Sequence, residues 1–95
     1  MPKGYVVTRV DIKDPEAYAR YAAAATKAIV AHGGRILARG GRHEALEGGA
    51  RARNVVLEFD SYDAARAYYY SADYQAAKAL RERAAEMEMV LVEGA

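Results

Sequence analysis

The sequence predicts a single α+β domain in which a four-stranded antiparallel sheet carries helices on one face only. Segments rich in β-branched residues alternate with segments of helical periodicity, in the order βαββαβ. Glycine pairs and helix-capping residues separate these segments. The chain has 95 residues, which is the length of one domain.

The first strand is expected at residues 5–12, which are rich in Val, Thr and Ile. Asp14 then suits the N-cap of a helix, and Pro15 suits its first position. Apolar and aromatic residues recur on one face of this helix at the i, i+3, i+4 spacing, and Gly33-Gly34 predicts its end.

The second strand is expected to start at Arg35 and to be interrupted by a β-bulge at Gly40-Gly41, because glycine tolerates positive φ. Residues 42–47 are expected to continue as a hairpin arm, with Gly48-Gly49 as the turn. Residues 54–60 close the third strand and carry the strongest strand signal in the chain.

The second helical region is expected to be broken in two. Ser61 suits the N-cap of the first part, and Ser71-Ala72-Asp73 resembles a second cap. A further helix is predicted from about residue 74 to residue 86, followed by a last strand at residues 87–93. This order of elements is that of the ferredoxin-like fold, with strand order 4-1-3-2.

Composition indicates a thin core. Hydrophobic residues form 53% of the chain, but 22 of them are alanines, which bury little area. The period-2 alternation of the strands assigns Val90 and Val92 to the helix-covered face, together with Val6 and Val10 of the first strand. It leaves an apolar set on the face opposite the helices: Val7, Leu37, Val56, Met89 and Leu91. Such a face predicts a homodimer in which two sheets pack about a two-fold axis.

Charge and motif content exclude several classes of function. A net charge of +1 gives no electrostatic footprint for nucleic acid, and the absence of cysteine excludes disulfides and thiolate chemistry. The sequence contains no signal-peptide core, no apolar run near 18 residues, no phosphate-binding motif and no metal-ligand spacing. We therefore expect a cytoplasmic protein with no metal, cofactor, nucleic-acid or membrane partner.

Several segments together resemble one family, over nearly the whole chain: residues 3–5, 14–21, 33–41, 46–48, 58–65, 68–75 and 90–94. The family is known as bacterial domain of unknown function number thirteen-thirty, within the dimeric α/β-barrel superfamily. The resemblance implies a homodimer whose two sheets form a barrel. It implies no catalytic residues, since no motif of the enzymes in that superfamily matches here.

Arg9, Arg39 and Glu58 are expected to share the face opposite the helices. If Gly48-Gly49 is a two-residue turn, Arg39 lies directly opposite Glu58 on the neighbouring strand. The set could anchor an anionic ligand, a carboxylate or an enolate, or it could form a cross-strand ion pair that closes the barrel.

Tyr18 and Tyr21 lie on the buried face of the first helix, as core aromatics or as walls of a pocket between helix and sheet.

His43 follows the expected bulge and is either a general base or a solvated residue. In a further cluster, Tyr68, Tyr69 and Tyr70 cannot all face inward from one helix, and packing or a dimer contact explains them better than a stacking platform.

The leading hypothesis is a cofactor-independent enzyme or binding protein for a small anionic or aromatic metabolite. Its pocket would lie between the first helix and the sheet, with Arg39, Tyr18, Tyr21 and His43 around it. The alternative is a non-catalytic dimeric module for assembly or regulation.

Overall fold

The computed structural model describes residues 2–95 and has the predicted order of elements. The elements are β1 (Gly4–Ile12), α1 (Pro15–Ala31), β2 (Arg35–Arg39), β3 (Arg53–Phe59), α2 (Tyr62–Tyr70), α3 (Ala72–Leu80) and β4 (Ala85–Glu93). The strands form one antiparallel sheet in the order β2-β3-β1-β4, which is the predicted order read from the other edge. The predicted ferredoxin-like fold is confirmed.

Side-chain caps start all three helices at the predicted places. An Asp14 carboxylate oxygen accepts hydrogen bonds from the backbone N–H groups of Glu16 and Ala17, at 3.1 and 3.2 Å. The Ser61 hydroxyl accepts from Ala64 at 3.0 Å, and the Ser71 hydroxyl accepts from Tyr74 at 3.2 Å. The second cap is why the helical region breaks between α2 and α3.

The core lies between the sheet and the three helices. Its sheet side includes Val6, Val10, Leu57 and Phe59, each at most 4% exposed. Its helix side is built largely from small alanines and tyrosine rings: Tyr18, Tyr21, Ala25, Ala28, Tyr68 and Tyr74. The helices contribute few large aliphatic side chains to the core, so the tyrosine rings supply the volume on their side.

The expected hairpin arm at residues 42–47 is wrong. β2 ends at Arg39, and residues 40–52 form an irregular exposed segment. Gly40 turns the chain with φ +66°, and the polar residues that follow offer no alternating apolar set for a strand to bury. The segment returns to the sheet through Arg51, whose Nη1 lies 2.8 Å from Asp11 Oδ2 and whose Nε lies 3.1 Å from Glu88 Oε1.

The predicted facing of the last strand is also wrong. β4 starts at Ala85, and α3 ends at Leu80, earlier than expected. On the sheet face opposite the helices, called the open face below, Val7 pairs with Val90. Met89 instead pairs with the buried Thr8 and packs against the core. Within the predicted range 87–93 each alternating set carries one glutamate, so that range does not reveal which set is covered, whereas the observed start at Ala85 adds Glu86 to the open-face set. The open face remains apolar, with Val90 and Val92 in place of Met89 and Leu91.

Within residues 2–95, none of the helices combines the length and the apolar character needed to cross a bilayer.

Candidate ligand-binding crevice

A crevice lies between α1 and the helix-covered face of the sheet. Its internal cavity volume is about 50 Å³, within a recess of about 470 Å³ that includes open solvent. Most of its walls are apolar: Ala22, Ala25, Ile29, Val55, Leu57 and Met89. An apolar lining with a few polar groups is typical of a small-molecule site.

Two arginines lie at the strand ends that border this crevice. Arg39 is the last residue of β2, Arg53 is the first residue of β3, and both line the crevice. Arg39 pairs with Val55, so it lies on the helix-covered face of the sheet and not on the open face where the sequence pattern had assigned it. The bulge falls between Ile36 and Ala38, earlier than Gly40-Gly41, and this shift of one residue reverses the facing of Arg39.

The guanidinium of Arg53 is held between a tyrosine ring and a glycine. Its central carbon lies 5.6 Å from the centroid of the Tyr18 ring. A Cβ atom added to Gly40 would lie only 2.5 Å from Arg53 Nη1, so the absence of a side chain at this position makes room for the guanidinium. Arg53 Nε is buried and has no hydrogen-bond partner among residues 2–95. The residue that carries this orphaned donor, Arg53, lines the crevice.

Tyr18 and Tyr21 line the crevice between α1 and the sheet. Both are buried in the core, at 7% and 6% exposure. The Tyr21 hydroxyl oxygen lies 2.9 Å from the Tyr74 hydroxyl oxygen, and burial raises the pKa of Tyr21 well above its usual range. Tyr21 is therefore a neutral hydroxyl at any physiological pH.

Of the predicted set Arg9, Arg39 and Glu58, only Arg9 and Glu58 lie on the open face of the sheet. The Glu58 carboxylate pairs with Arg35, whose Nε lies 2.8 Å from Oε1, and it also accepts a hydrogen bond from the Tyr5 hydroxyl at 3.0 Å. Arg9 donates to the carbonyl oxygen of Gly49 at 3.0 Å. The expected pairing of Arg39 with Glu58 is therefore wrong, and Arg9, Arg39 and Glu58 form no common site.

His43 lies outside the crevice. It belongs to the exposed segment 40–52, where its Nδ1 lies 3.3 Å from the carbonyl oxygen of Gly41. It adjoins Arg9 and Asn54 in a shallow cleft on the open-face side of the sheet. The placement of His43 beside Arg39 and the two tyrosines is therefore wrong, because the chain turns away at Gly40.

The tyrosine cluster divides between core and surface. Tyr68 and Tyr74 are buried, at 1% and 0% exposure, whereas Tyr70 is 63% exposed and carries the guanidinium of Arg66 over its ring. This confirms that the three consecutive tyrosines do not all face inward. Only Tyr68 of the cluster reaches the crevice wall.

Arg53 is the crevice residue that sequence reasoning missed. The sequence signal was the alternation of side chains along the strand. Arg53 belongs to the same alternating set as Val55 and Leu57, both of which face the helices. A charged residue in an otherwise buried alternating set is unusual and marks either a strand end or a site.

Among residues 2–95, no group of three His, Asp or Glu side chains could hold a metal ion.

Comparison with solved structures shows the same fold at low identity. A protein of unknown function from Rhodopseudomonas palustris matches with a TM-score of 0.77 and 17% identity, over 99% of this chain and 83% of its own. A dimeric ferredoxin-like protein of unknown function from Thermobifida fusca matches with a TM-score of 0.63 and 20% identity, over 97% and 91% of the two chains. SnoaB, a cofactor-independent oxygenase from Streptomyces nogalater, matches with a TM-score of 0.53 and 15% identity, over 97% and 92%.

No curated protein sequence matches the chain. A family model does match, and it spans residues 3–95 with the ferredoxin-like fold described above. The chain is thus a member of the DUF1330 family, a domain of unknown function.

Proposed function

We propose that this protein binds a small organic anion with a flat apolar body in the crevice between α1 and the sheet, and that it does so as a homodimer. The observation that carries the proposal is the pair of arginines, Arg39 and Arg53, on the crevice wall. Neither forms an ion pair within 4 Å with a carboxylate of residues 2–95, and the buried Nε of Arg53 lacks any partner there.

The orphaned donor is the main argument for an anionic ligand. A buried N–H group without a hydrogen bond costs about 1–3 kcal/mol, and more when it belongs to a charged group. A carboxylate is the acceptor that suits a guanidinium best, because its two oxygens match the fork of N–H donors. A ligand carboxylate that accepts a hydrogen bond from Arg53 would therefore remove the cost of the unpartnered N–H group and stabilise the complex.

The walls of the crevice favour an aromatic or otherwise flat ligand body. Tyr18 and Tyr21 present rings to the space, and aliphatic side chains cover the sheet side. Small-molecule sites commonly combine such apolar walls with a few polar groups that orient the ligand.

The homodimer is proposed to form through the open face of the sheet. Val90 and Val92 are 55% and 45% exposed on this face, and Val7 and Val56 lie beside them. An apolar sheet face of this kind is typical of an interface. The dimeric state of the Thermobifida fusca protein, which shares the fold, supports a dimer here.

Binding is the function proposed, ahead of catalysis. The crevice brings together cations and the hydroxyl groups of threonines and tyrosines, and none of its described lining residues is a Lys, His or carboxylate that could activate a hydroxyl as a nucleophile. A cofactor-independent reaction of the bound anion would depend on electrostatic stabilisation by the arginines. A non-catalytic regulatory dimer is the alternative, and it predicts no ligand in the crevice.

Thermal unfolding with a panel of small carboxylates tests the proposal. Benzoate, 4-hydroxybenzoate and indole-3-acetate are compared with benzamide, which keeps the flat body of benzoate without its charge. We expect at least one carboxylate to raise Tm, with a shift that grows with ligand concentration, and benzamide to leave Tm unchanged. The shift should be lost in Arg53→Met and in Arg39→Met.

Arg66→Met is the matched control, because Arg66 is an exposed arginine on α2 outside the crevice. It should keep the ligand-dependent shift of the wild type. The proposal is wrong if no carboxylate raises Tm, or if Arg53→Met and Arg39→Met respond to the carboxylate as the wild type does.

A further inference from the structure

We infer that the crevice also ionises weakly acidic ligands, such as phenols and enols, and binds them as their conjugate bases. This inference rests on the proposed function, since it uses the same crevice. It adds an activity, because the protein would change the protonation state of its ligand instead of only holding a permanent anion.

The charged and titratable groups that face the crevice are all cationic or neutral. α1 contributes Tyr18 and Tyr21, α2 contributes Tyr68, β2 contributes Arg39 and β3 contributes Arg53. The crevice-lining residues of β1 and β4 have no titratable side chain. Among the described residues of the wall there is no carboxylate, histidine or lysine.

Tyr21 and Tyr68 remain protonated when the ligand ionises. Burial raises the pKa of Tyr21 and of Tyr68 well above the usual range of tyrosine, because the phenolate form would lose its hydration. These side chains therefore do not compete with the ligand for the negative charge. The two guanidinium groups stay charged throughout the physiological range.

The proton balance follows from this set of groups. The O–H bond of the ligand breaks, the electron pair remains on the ligand oxygen, and the proton passes to water or buffer, since no side chain of the wall can accept it at neutral pH. The mouth of the crevice is open to solvent, which gives the proton a path out. No oxidant, reductant or second substrate takes part.

The expected size of the effect follows from the positive charge. An opposite charge within about 4–6 Å lowers the pKa of an acid by roughly 1–3 units, and burial of the anion opposes this. Two arginines face one bound ligand, and the crevice is not sealed from water. We therefore expect the apparent pKa of a bound phenol to fall by about one unit, a tenfold gain in ionisation.

4-Nitrophenol is the probe, because its ionised form absorbs at a longer wavelength than the neutral phenol. The pH titration of its absorbance is measured without protein and with saturating wild-type protein. We expect the midpoint to move to lower pH by about one unit with the wild type. Arg53→Met and Arg39→Met should return it toward that of the free probe, and Arg66→Met should not.

4-Nitroanisole, which has no ionisable proton, is the ligand control, and its absorbance in the presence of the protein should not change with pH between 5 and 9. Far-UV circular dichroism checks that each variant is folded. If Arg53→Met does not fold, Arg39→Met carries the test, since Arg39 is an exposed residue at the end of a strand.

The outcomes separate the two proposals. If a carboxylate binds through the arginines but the midpoint of bound 4-nitrophenol stays unchanged or rises, the ionisation inference is overturned and the proposed function stands. If 4-nitrophenol does not bind while carboxylates do, the inference is overturned as well. If neither class binds, both proposals fail. A lowered midpoint that persists in both arginine variants would also overturn the inference, because the arginines would not be its cause.

Discussion

The hydroxyl oxygens of Tyr21 and Tyr74 lie 2.9 Å apart and join α1 to α3 inside the core. Each residue is at most 6% exposed, so neither hydroxyl can exchange this partner for bulk water. The guanidinium of Arg81 lies 5.3 Å from the centroid of the Tyr21 ring. The contact between the two hydroxyl groups therefore links α1 to α3 inside the core. Tyr21 also forms part of the crevice wall.

Tyr74→Phe is expected to destabilise the protein by about 1–2 kcal/mol, because it leaves the buried Tyr21 hydroxyl without this partner. The double variant Tyr21→Phe/Tyr74→Phe should lose less than the sum of the two single variants, since it removes both hydroxyls together. Urea denaturation of the four proteins measures this coupling. Strictly additive losses would show that the hydroxyl pair contributes nothing.

Stability should fall in acid through Glu58. The hydrogen bond from Arg35, followed by that from Tyr5, lowers the pKa of Glu58 below its usual value. A carboxyl group with a lowered folded-state pKa stabilises the fold above its unfolded-state pKa, near pH 4.3, and this contribution is lost as the pH falls through the folded-state value.

Glu58→Gln should therefore be less stable than the wild type at pH 7, and this difference should shrink as the pH falls below about 4. Denaturation midpoints in urea at pH 7 and pH 3 provide the comparison. A difference of the same size at both pH values would contradict the assignment of the lowered pKa to Glu58.

Gly40→Ala should weaken ligand binding more than its effect on stability explains. The position has φ +66°, which costs alanine about 1–2 kcal/mol, and the added Cβ would displace the Arg53 guanidinium. Gly48→Ala is the matched control, because Gly48 has φ +69° but no atom within 4 Å of an added Cβ.

Both glycine variants should show a similar loss of stability in urea. Only Gly40→Ala should also reduce the Tm shift produced by a crevice-binding carboxylate. Equal binding by the two variants would mean that the contact between Gly40 and Arg53 does not position the guanidinium.

Val90→Asp should dissociate the proposed dimer. A dimer joined by the open faces would bury two carboxylates without partners, and each would cost more than about 1.4 kcal/mol, so the dissociation constant should rise by about 100-fold or more. Sedimentation velocity across a range of protein concentrations measures it. Val30→Asp is the control, because Val30 is 71% exposed on α1, away from the open face. A wild type that sediments as a monomer at micromolar concentration would contradict the dimer itself.

Local chemistry in the sequence determined most of the fold. Asp14, Ser61 and Ser71 cap helices through hydrogen bonds to residues two or three positions away, so the sequence around each cap suffices to place it. The order of elements then leaves few ways to connect the strands, which is why the strand order was predictable.

The facing of β4 and of Arg39 was decided only by the tertiary structure. Within residues 87–93 each alternating set of β4 carries one glutamate, so the core-facing set becomes clear only once the strand starts at Ala85, and the bulge between Ile36 and Ala38 leaves no glycine signature. A register depends on which residues of two distant strands pair, and one shifted residue reverses every side chain beyond it. The crevice depends on that shift, because it brings Arg39 to the face where Arg53 and Tyr18 lie.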